Sequence, residues 1–215
     1  MEKKEAYRHA LPHFQQSGQA YFVTWCLKDA VPPKALEYYT KLLNSLQCQI
    51  EDAVRRKAEQ QLIDDLKTEY YFTRKKYIKA FDDLLHLQHT SIVNLSAPEN
   101  LAVMREALLF WEGKKLYNYA FCVMCNHVHW VFHTFNEDSE GKPVYLQDIL
   151  HSVKRFSANK INKLENRSGA LWQKESFDTT IRDEKHLYNA IEYTLNNPVA
   201  ANLIQNREEW QGSWW

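Results

Sequence analysis

Two histidines separated by a single residue are the part of this sequence most capable of chemistry. They lie in the pentapeptide Asn126-His127-Val128-His129-Trp130. In a β-strand, residues i and i+2 point to the same face, with Cα atoms roughly 6.5–7 Å apart. Two imidazoles at that separation can converge on one cation, while Val128 and Trp130 point into the core. The pattern predicts half of a metal site; the alternative is two ordinary histidines on a half-exposed strand, since the chain contains nine histidines.

A Cys-x-x-Cys sequence just before the pair raises a second alternative, a structural zinc site. Cys122 and Cys125 would point to opposite faces if both lay on one strand, because their spacing is odd. A turn could bring them together, but no second Cys/His pair at zinc-finger spacing follows. The four cysteines also show no disulfide framework, which favours a reducing, cytoplasmic location.

The last predicted helix, 183–197, carries a tyrosine and an asparagine four residues apart. Tyr193 and Asn197 therefore stack on one face, within a polar stripe beside the buried face. Pro198 disfavours α geometry at the preceding residue, so we expect the helix to end at Asn197. The Asn197 carbonyl oxygen could then be a third metal ligand, with Tyr193 within reach of a phosphate bound there. The alternative is a boundary tyrosine with no catalytic role, since the chain has twelve tyrosines.

The remaining periodicity predicts a sheet with helices on one side. Strands are predicted at 20–27, 116–124 and 128–135, and helices at 96–111, 145–164 and 183–197. Residues 34–87 are helical in character, with a break or a second helix at 70–81. Ser96 and Glu99 resemble a helix N-cap and its partner. This order of strands and helices is typical of an α+β sandwich.

Composition excludes several classes of function. The five glycines are too far apart to form a phosphate-cradling loop, and no run approaches the ~18 apolar residues of a membrane span. The net charge is zero, although nucleic-acid-binding proteins are often basic. The charge is uneven, however, because residues 151–182 contain seven cations and three anions, a local net charge of +4. A solvated helix face would explain this segment equally well.

Taken together, these motifs resemble the HUH-type single-tyrosine transposases, in particular the REP-associated tyrosine transposases. The HUH signature is His, a bulky hydrophobic residue and His, here His127-Val128-His129. The resemblance extends over YFVTWCL, YAFCVMCNHVHWVF, LQDILHSVKRFSANKIN, GALWQKESFDTTIRD and IEYTLNNPVAANLI. The HUH tripeptide is weakly specific, whereas the ordered set ending in E-Y-x-x-N-N-P-V is strongly specific. Cys125 stands where the family usually has proline, a departure that removes no ligand and no nucleophile.

The resemblance implies a ferredoxin-like antiparallel sheet with flanking helices and a helical insertion. It implies a single domain, 1–215, with the helical elaboration at about 34–87. The implied activity is metal-dependent nicking and rejoining of single-stranded or hairpin DNA, with Tyr193 as the nucleophile. His127, His129 and Asn197 would hold the metal. The donors alone suit zinc or nickel, but the family implies Mg²⁺ or Mn²⁺, since phosphate oxygens complete the shell.

Contacts to the DNA are predicted in the basic segment. Lys154, Arg155, Lys160 and Arg182 are candidates for contacts to the phosphate backbone. Trp172 could stack on an unpaired base, or it could be a core tryptophan. The expected assembly is a monomer or a homodimer, with no membrane association. Two rival functions are a domesticated DNA-binding or regulatory protein that keeps the fold, and an unrelated metal hydrolase that uses the histidine pair and water.

Overall fold

A computed structural model of the chain describes residues 6–8, 12–32, 34–87 and 91–215. These residues divide into two compact units, one within 1–30 and 90–215 and the other within 31–89. The elements are the strands β1 (Ala6–Arg8), β2 (Pro12–Phe14), β3 (Ala20–Cys26), β4 (Leu116–Val123), β5 (His127–Thr134), β6 (Phe177–Thr180) and β7 (Ser213–Trp214), and the helices α1 (Glu37–Arg55), α2 (Gln60–His86), α3 (Pro98–Leu109), α4 (Leu146–Leu164) and α5 (Glu184–Ala200).

The larger unit is built on a five-stranded sheet in the order β6-β3-β5-β4-β7, with every neighbouring pair antiparallel. Along the chain, β3, α3, β4, β5, α4 and β6 alternate as in a ferredoxin-like fold. In the sheet, β3 lies between β6 and β5, which is the strand order that a ferredoxin-like fold requires. The predicted fold class is therefore confirmed, and β7 adds a short strand at the β4 edge.

Both faces of this sheet are covered, which corrects the prediction that the helices lie on one side. On one face, Trp25 packs edge-on against Trp130 and against Trp172, whose indole is hydrogen-bonded to α4. On the other face, α5 places Ala190 against Val131. The sequence did not reveal this because the α5 side of β5 carries His127 and His129, which are polar by type but buried here.

The helix α3 begins differently from the prediction. Its N-cap is Ala97, without a side-chain cap, and Pro98 occupies the first turn. Ser96 instead donates its backbone N–H and its hydroxyl to Oδ1 of Asn94. The local turn made by Asn94 competes with the predicted capping box, as short polar side chains do at helix starts. The N-cap therefore moves by one residue, from Ser96 to Ala97, and the site is unaffected.

The smaller unit is a pair of helices, α1 and α2, joined by residues 56–59. Lys57 in this connection has a φ of +52°. The break therefore lies here and not at 70–81, which is inside α2. The sequence concealed it because the connection contains neither Gly nor Pro. Tyr39 and Tyr77 meet edge-on between the helices, and none of the described helices is long and apolar enough to cross a membrane.

Candidate metal centre and nucleophile

The strand β5 brings the two predicted histidines together on one face. His127 and His129 are both buried, and their rings meet at 85° with centroids 4.7 Å apart. Their Nε2 atoms are separated by 3.0 Å. The separation follows from the strand period of two, which places alternate side chains on the same face. The convergence of the Nε2 atoms, rather than of the Nδ1 atoms, leaves the other ring nitrogens for supporting contacts.

A buried polar side chain contacts Nδ1 of each histidine, the ring nitrogen that faces away from the other histidine. Oδ1 of Asn126 lies 2.6 Å from Nδ1 of His127, and the hydroxyl of Thr24 lies 2.8 Å from Nδ1 of His129. A carboxamide oxygen can only accept, so the proton of a neutral His127 sits on Nδ1 and the lone pair on Nε2. Thr24 is the cross-strand neighbour of His129 on β3. These are the supporting contacts that metal-binding histidines use to fix ring orientation.

The third predicted ligand comes from α5. Oδ1 of Asn197 lies 3.3 Å from Nε2 of His127, and Asn197 is buried. The prediction that Pro198 ends the helix is wrong, because α5 continues to Ala200 with the proline inside its last turn. Proline removes only one backbone donor, and its carbonyl still accepts from Leu203 across 3.0 Å. Asn197 remains in the last turn, near the negative end of the helix dipole.

The predicted nucleophile stands beside this centre. The ring of Tyr193 meets the ring of His129 at 85°, with centroids 5.3 Å apart. Phe22 on β3 contacts both rings, with centroids 5.6 Å from Tyr193 and 5.9 Å from His129. Tyr193 is 38% exposed. The phenol therefore lies between a buried set of donors and solvent, where an incoming phosphate could approach both.

The donor atoms fit a divalent cation. Two ligands held at right angles on one ion, at about 2.1 Å each, are about 3 Å apart. The Nε2–Nε2 and Nε2–Oδ1 separations among His127, His129 and Asn197 are close to that value. When His127 is neutral, the lone pair on its Nε2 faces the amide oxygen of Asn197, which is also an acceptor. A cation shared by the two atoms would make that contact favourable. Among the residues described, no group of three His, Cys, Asp or Glu side chains could hold a metal, and the third donor atom of this set is the amide oxygen of Asn197.

The two cysteines near the histidines make contacts of a different kind. The Cys122 thiol is buried between Met124 and Ser213, and burial raises its pKa to about 12. Zinc is bound by thiolates, which such a pKa disfavours. Sγ of Cys125 instead lies 3.4 Å from the hydroxyl of Ser96. The geometry supports the histidine pair rather than the Cys-x-x-Cys sequence as the metal-binding element.

Two of the predicted DNA contacts have side chains that point into the protein. The ammonium of Lys154 points inward, donating to Oγ of Ser176 at 2.7 Å and to the carbonyl of Gln173 at 3.3 Å. Burial lowers the pKa of Lys154 to about 8. Trp172 is a buried core residue whose indole N–H points to Ser157 and to the Lys154 carbonyl, both at 3.1 Å. Neither side chain is presented to a DNA strand, because both complete the layer between the sheet and α4.

The other three predicted DNA contacts, Arg155, Lys160 and Arg182, are exposed. The Lys160 ammonium lies 5.6 Å from the centroid of Phe156 on the same helix. These cations are available for a phosphate backbone, and their role stays a prediction.

Sequence reasoning missed three residues that support the site: Thr24, Phe22 and Asn126. Asn126 was within the pentapeptide, directly before the first histidine, and its place there was the available signal. The other two lie on β3, more than a hundred residues away, and become neighbours of His129 only through the register of β3 with β5.

The fold and the site together define a ferredoxin-like α+β domain with a His-hydrophobic-His pair, an asparagine and a tyrosine converging on one face. No protein-family profile matches the chain. A protein of Haemophilus influenzae named as a REP-associated tyrosine transposase is 24% identical over 98 residues, 42% of this chain and 54% of that protein. This chain thus matches about half the length of that relative. The resemblance drawn from the motifs is confirmed at this level.

A solved structure also aligns with the chain. It is a REP-associated tyrosine transposase bound to a REP hairpin, with 14% identity and a TM-score of 0.49. The alignment covers 99% of this chain and 82% of the other.

Proposed function

We propose that the chain is a transposase or endonuclease that nicks and rejoins single-stranded DNA through a 5′-phosphotyrosine on Tyr193. The observation that carries this proposal is the convergence of three metal-binding atoms beside an accessible phenol. His127, His129 and Asn197 supply the donors, and the ring of Tyr193 contacts the ring of His129. A buried set of donors beside a partly exposed tyrosine suits a reaction in which that tyrosine becomes covalently linked.

The metal-binding residues would hold Mg²⁺ or Mn²⁺, which neutralises negative charge on the non-bridging oxygens of a bound phosphodiester. A free tyrosine has a pKa of about 10, so only ~0.1% is ionised at pH 7. The phenol oxygen of Tyr193 attacks phosphorus as its proton passes to solvent, and a Tyr–O–P bond forms. The bond from phosphorus to the 3′-oxygen breaks, and that oxygen takes up a proton.

The covalent link preserves the energy of the phosphodiester, so rejoining needs no nucleotide. In the reverse step, a 3′-hydroxyl attacks the phosphotyrosine and releases Tyr193 as a phenol. The absence of a glycine-rich phosphate loop from the sequence is consistent with this. Chemistry of this kind cuts and rejoins one strand at a time, as transfer of a mobile DNA segment requires.

The substrate class is inferred from the names of the similar proteins. The Haemophilus relative is named as a REP-associated transposase, and we propose a hairpin-forming repeat with single-stranded flanks as the substrate. We further propose that residues 1–215 act as one HUH domain, with 34–87 as its helical elaboration, in a monomer or a homodimer.

The test uses purified protein, end-labelled hairpin oligonucleotides with single-stranded flanks, and Mn²⁺ with or without chelator. We expect a covalent protein–DNA adduct that resists denaturation and is lost in Tyr193→Phe and with chelator. Tyr188→Phe is a matched control, because Tyr188 lies on the same helix and is 64% exposed.

Two results would contradict the proposal. Hairpin binding without any adduct would identify a DNA-binding or regulatory protein that keeps the fold. Strand cleavage that persists in Tyr193→Phe would identify a metal hydrolase that uses water.

A further inference from the structure

An open pocket lies where β4 begins and β5 ends. The metal-binding histidines are at the opposite end of β5. The pocket has a volume of about 440 Å³ and is lined by Tyr117, Tyr119, His133, Phe135 and Asn136. Small-molecule sites commonly have volumes of about 300–1,000 Å³. The proposed strand-transfer chemistry uses none of these residues, so the pocket needs an explanation of its own.

The pocket is on the same face of the sheet as the metal-binding residues. His133 is four and six residues beyond His129 and His127 on β5, and Phe135 is two further on, so strand alternation gives them one face. Tyr117 is the cross-strand neighbour of His133. At the rise of a strand, His133 is roughly 13 Å from His129. A strand of DNA bound at Tyr193 could therefore reach the pocket by passing around α5, which covers Val131 in between.

The lining of the pocket has the chemistry of a site for a planar, uncharged ring. Tyr117 is 56% exposed, and its ring lies 4.6 Å from that of Phe135, tilted by 54°. His133 and Asn136 add groups that donate and accept hydrogen bonds. None of the five described residues that line the pocket is acidic. A nucleobase has both a face that stacks on aromatic rings and an edge that forms hydrogen bonds.

The amide of Asn136 lies against the backbone at Gly18. Gly18 has a φ of +68°, and a Cβ at this position would collide with the amide oxygen of Asn136. Gly18 also donates its N–H to the carbonyl of Phe135 at 3.2 Å. The missing side chain allows the amide to lie against the backbone beside the pocket. A polar group held in this way loses less conformational entropy when a ligand binds.

We propose that this pocket binds an unpaired base of the single-stranded DNA flank, stacked on Tyr117 with its edge near Asn136. The inference rests on the proposed function, because it assumes that the strand attacked by Tyr193 continues to this pocket. A distance of roughly 13 Å corresponds to about four stacked nucleotides at ~3.4 Å each. If the bases stay stacked, we expect the strand to need about four or more nucleotides between the phosphate at Tyr193 and Tyr117, because it must pass around α5.

The test is a binding titration with fluorescent hairpins that carry 5′ or 3′ single-stranded flanks of increasing length, in chelator so that no strand is cleaved. For the wild-type protein we expect affinity to increase once one flank passes about four nucleotides. Tyr117→Ala should remove this increase, weakening binding roughly 5- to 150-fold, the range found for stacking of a single base. Tyr117→Phe should retain it, because the ring remains.

Two controls separate stacking from other effects. Tyr188→Ala removes an exposed tyrosine outside the pocket and should bind like wild type. A flank of equal length with abasic sites keeps the phosphates and should not distinguish Tyr117→Ala from wild type. Equal binding of Tyr117→Ala and wild type to every flank would overturn the inference, as would an equal loss on blunt hairpins or abasic flanks. Thermal unfolding of each variant confirms that it is folded.

The results can refute the pocket inference and the proposed function separately. If Tyr193 forms the adduct but Tyr117→Ala binds all flanks normally, the pocket inference alone is wrong. If flank binding depends on Tyr117 but no adduct forms, the pocket binds a base in a protein without strand transfer, and the proposed function alone is wrong.

Discussion

Nδ1 of His127 donates a hydrogen bond to Oδ1 of Asn126 across 2.6 Å, and this contact determines which ring nitrogen faces His129 and Asn197. With the proton on Nδ1, the lone pair on Nε2 points toward His129 and Asn197. Asn126 is therefore a positioning residue for the proposed metal site, because it would act on a bound cation by fixing the tautomer of His127. Loss of such supporting partners typically costs 10- to 100-fold in metal affinity.

The first prediction contrasts two substitutions of Asn126. Asn126→Leu removes the acceptor and should weaken Mn²⁺ binding roughly 10- to 100-fold, as measured by calorimetry or by the electron paramagnetic resonance signal of free Mn²⁺. Asn126→Asp keeps an oxygen that accepts from Nδ1 and should retain most of the affinity. A purely structural role would make both variants bind poorly, and that result would contradict the assignment.

A matched control for Asn126→Leu is Asn100→Leu. Asn100 is also buried, but its amide donates to Asn94 and Glu165, whereas the amide of Asn126 accepts from His127. We expect Asn100→Leu to lower the free energy of unfolding while leaving Mn²⁺ affinity unchanged in the folded protein. Equal loss of Mn²⁺ affinity in both variants would show that the effect is not specific to the histidine contact.

The parts of the site that could be predicted are those set by local periodicity. A period of two aligns His127 with His129, and a period of 3.6 aligns Tyr193 with Asn197. Only the family resemblance predicted that the two pairs meet, because no local rule predicts that α5 packs against β5. Thr24 could not be predicted, since it contacts His129 only after β3 and β5 pair in one particular register.

The errors have a common physical cause, which is that tertiary packing overrode a local preference. Proline normally ends a helix, but Pro198 lies inside the last turn of α5, where the loss of one backbone donor does not stop the chain from continuing to Ala200. Lys154 was predicted to contact a phosphate backbone, which presumes an exposed side chain, as is usual for lysine. Its ammonium is instead taken up by Ser176 and a backbone carbonyl in the layer beneath α4.

The second prediction concerns the pH dependence of stability caused by Lys154. Burial lowers the pKa of this ammonium from 10.5 to about 8 in the folded chain. Below about pH 8 the group is charged in both states, and the full cost of burial is present. Between about pH 8 and 10.5 the unfolded chain binds more protons, so stability rises with pH and the cost disappears.

Compared with wild type, Lys154→Met should therefore gain more free energy of unfolding at pH 7 than at pH 10.5. The difference between the two proteins should change across this window by at most about 3 kcal/mol, from a pKa shift of about 2.5 units. Urea unfolding at several pH values measures it, and Lys160→Met on the exposed side of α4 is the control. A pH-independent difference would show that Lys154 is not buried in solution.

The third prediction separates the exposed cations from the buried one by salt dependence. Each phosphate contact contributes about −0.7 to the slope of log K against log salt for single-stranded DNA. Replacing Arg155, Lys160 or Arg182 with Gln should reduce the slope by about that amount if each contacts the backbone. Lys154→Met should leave the slope unchanged, because its ammonium already bonds inside the protein. The same reduction for Lys154→Met would contradict the buried placement.

The fourth prediction concerns Trp172, which packs edge-on against Trp25 at 6.1 Å and donates to Ser157. Truncating a buried tryptophan to alanine typically costs 3–5 kcal/mol in unfolding free energy. Trp172→Phe keeps a ring but loses the indole donor, so we expect a smaller loss, on the order of 1 kcal/mol. At a temperature where the variant is folded, its affinity for single-stranded DNA should equal that of wild type, because a buried ring stacks on no base. A base-stacking residue would behave in the opposite way, with weaker DNA binding and little change in chemical denaturation.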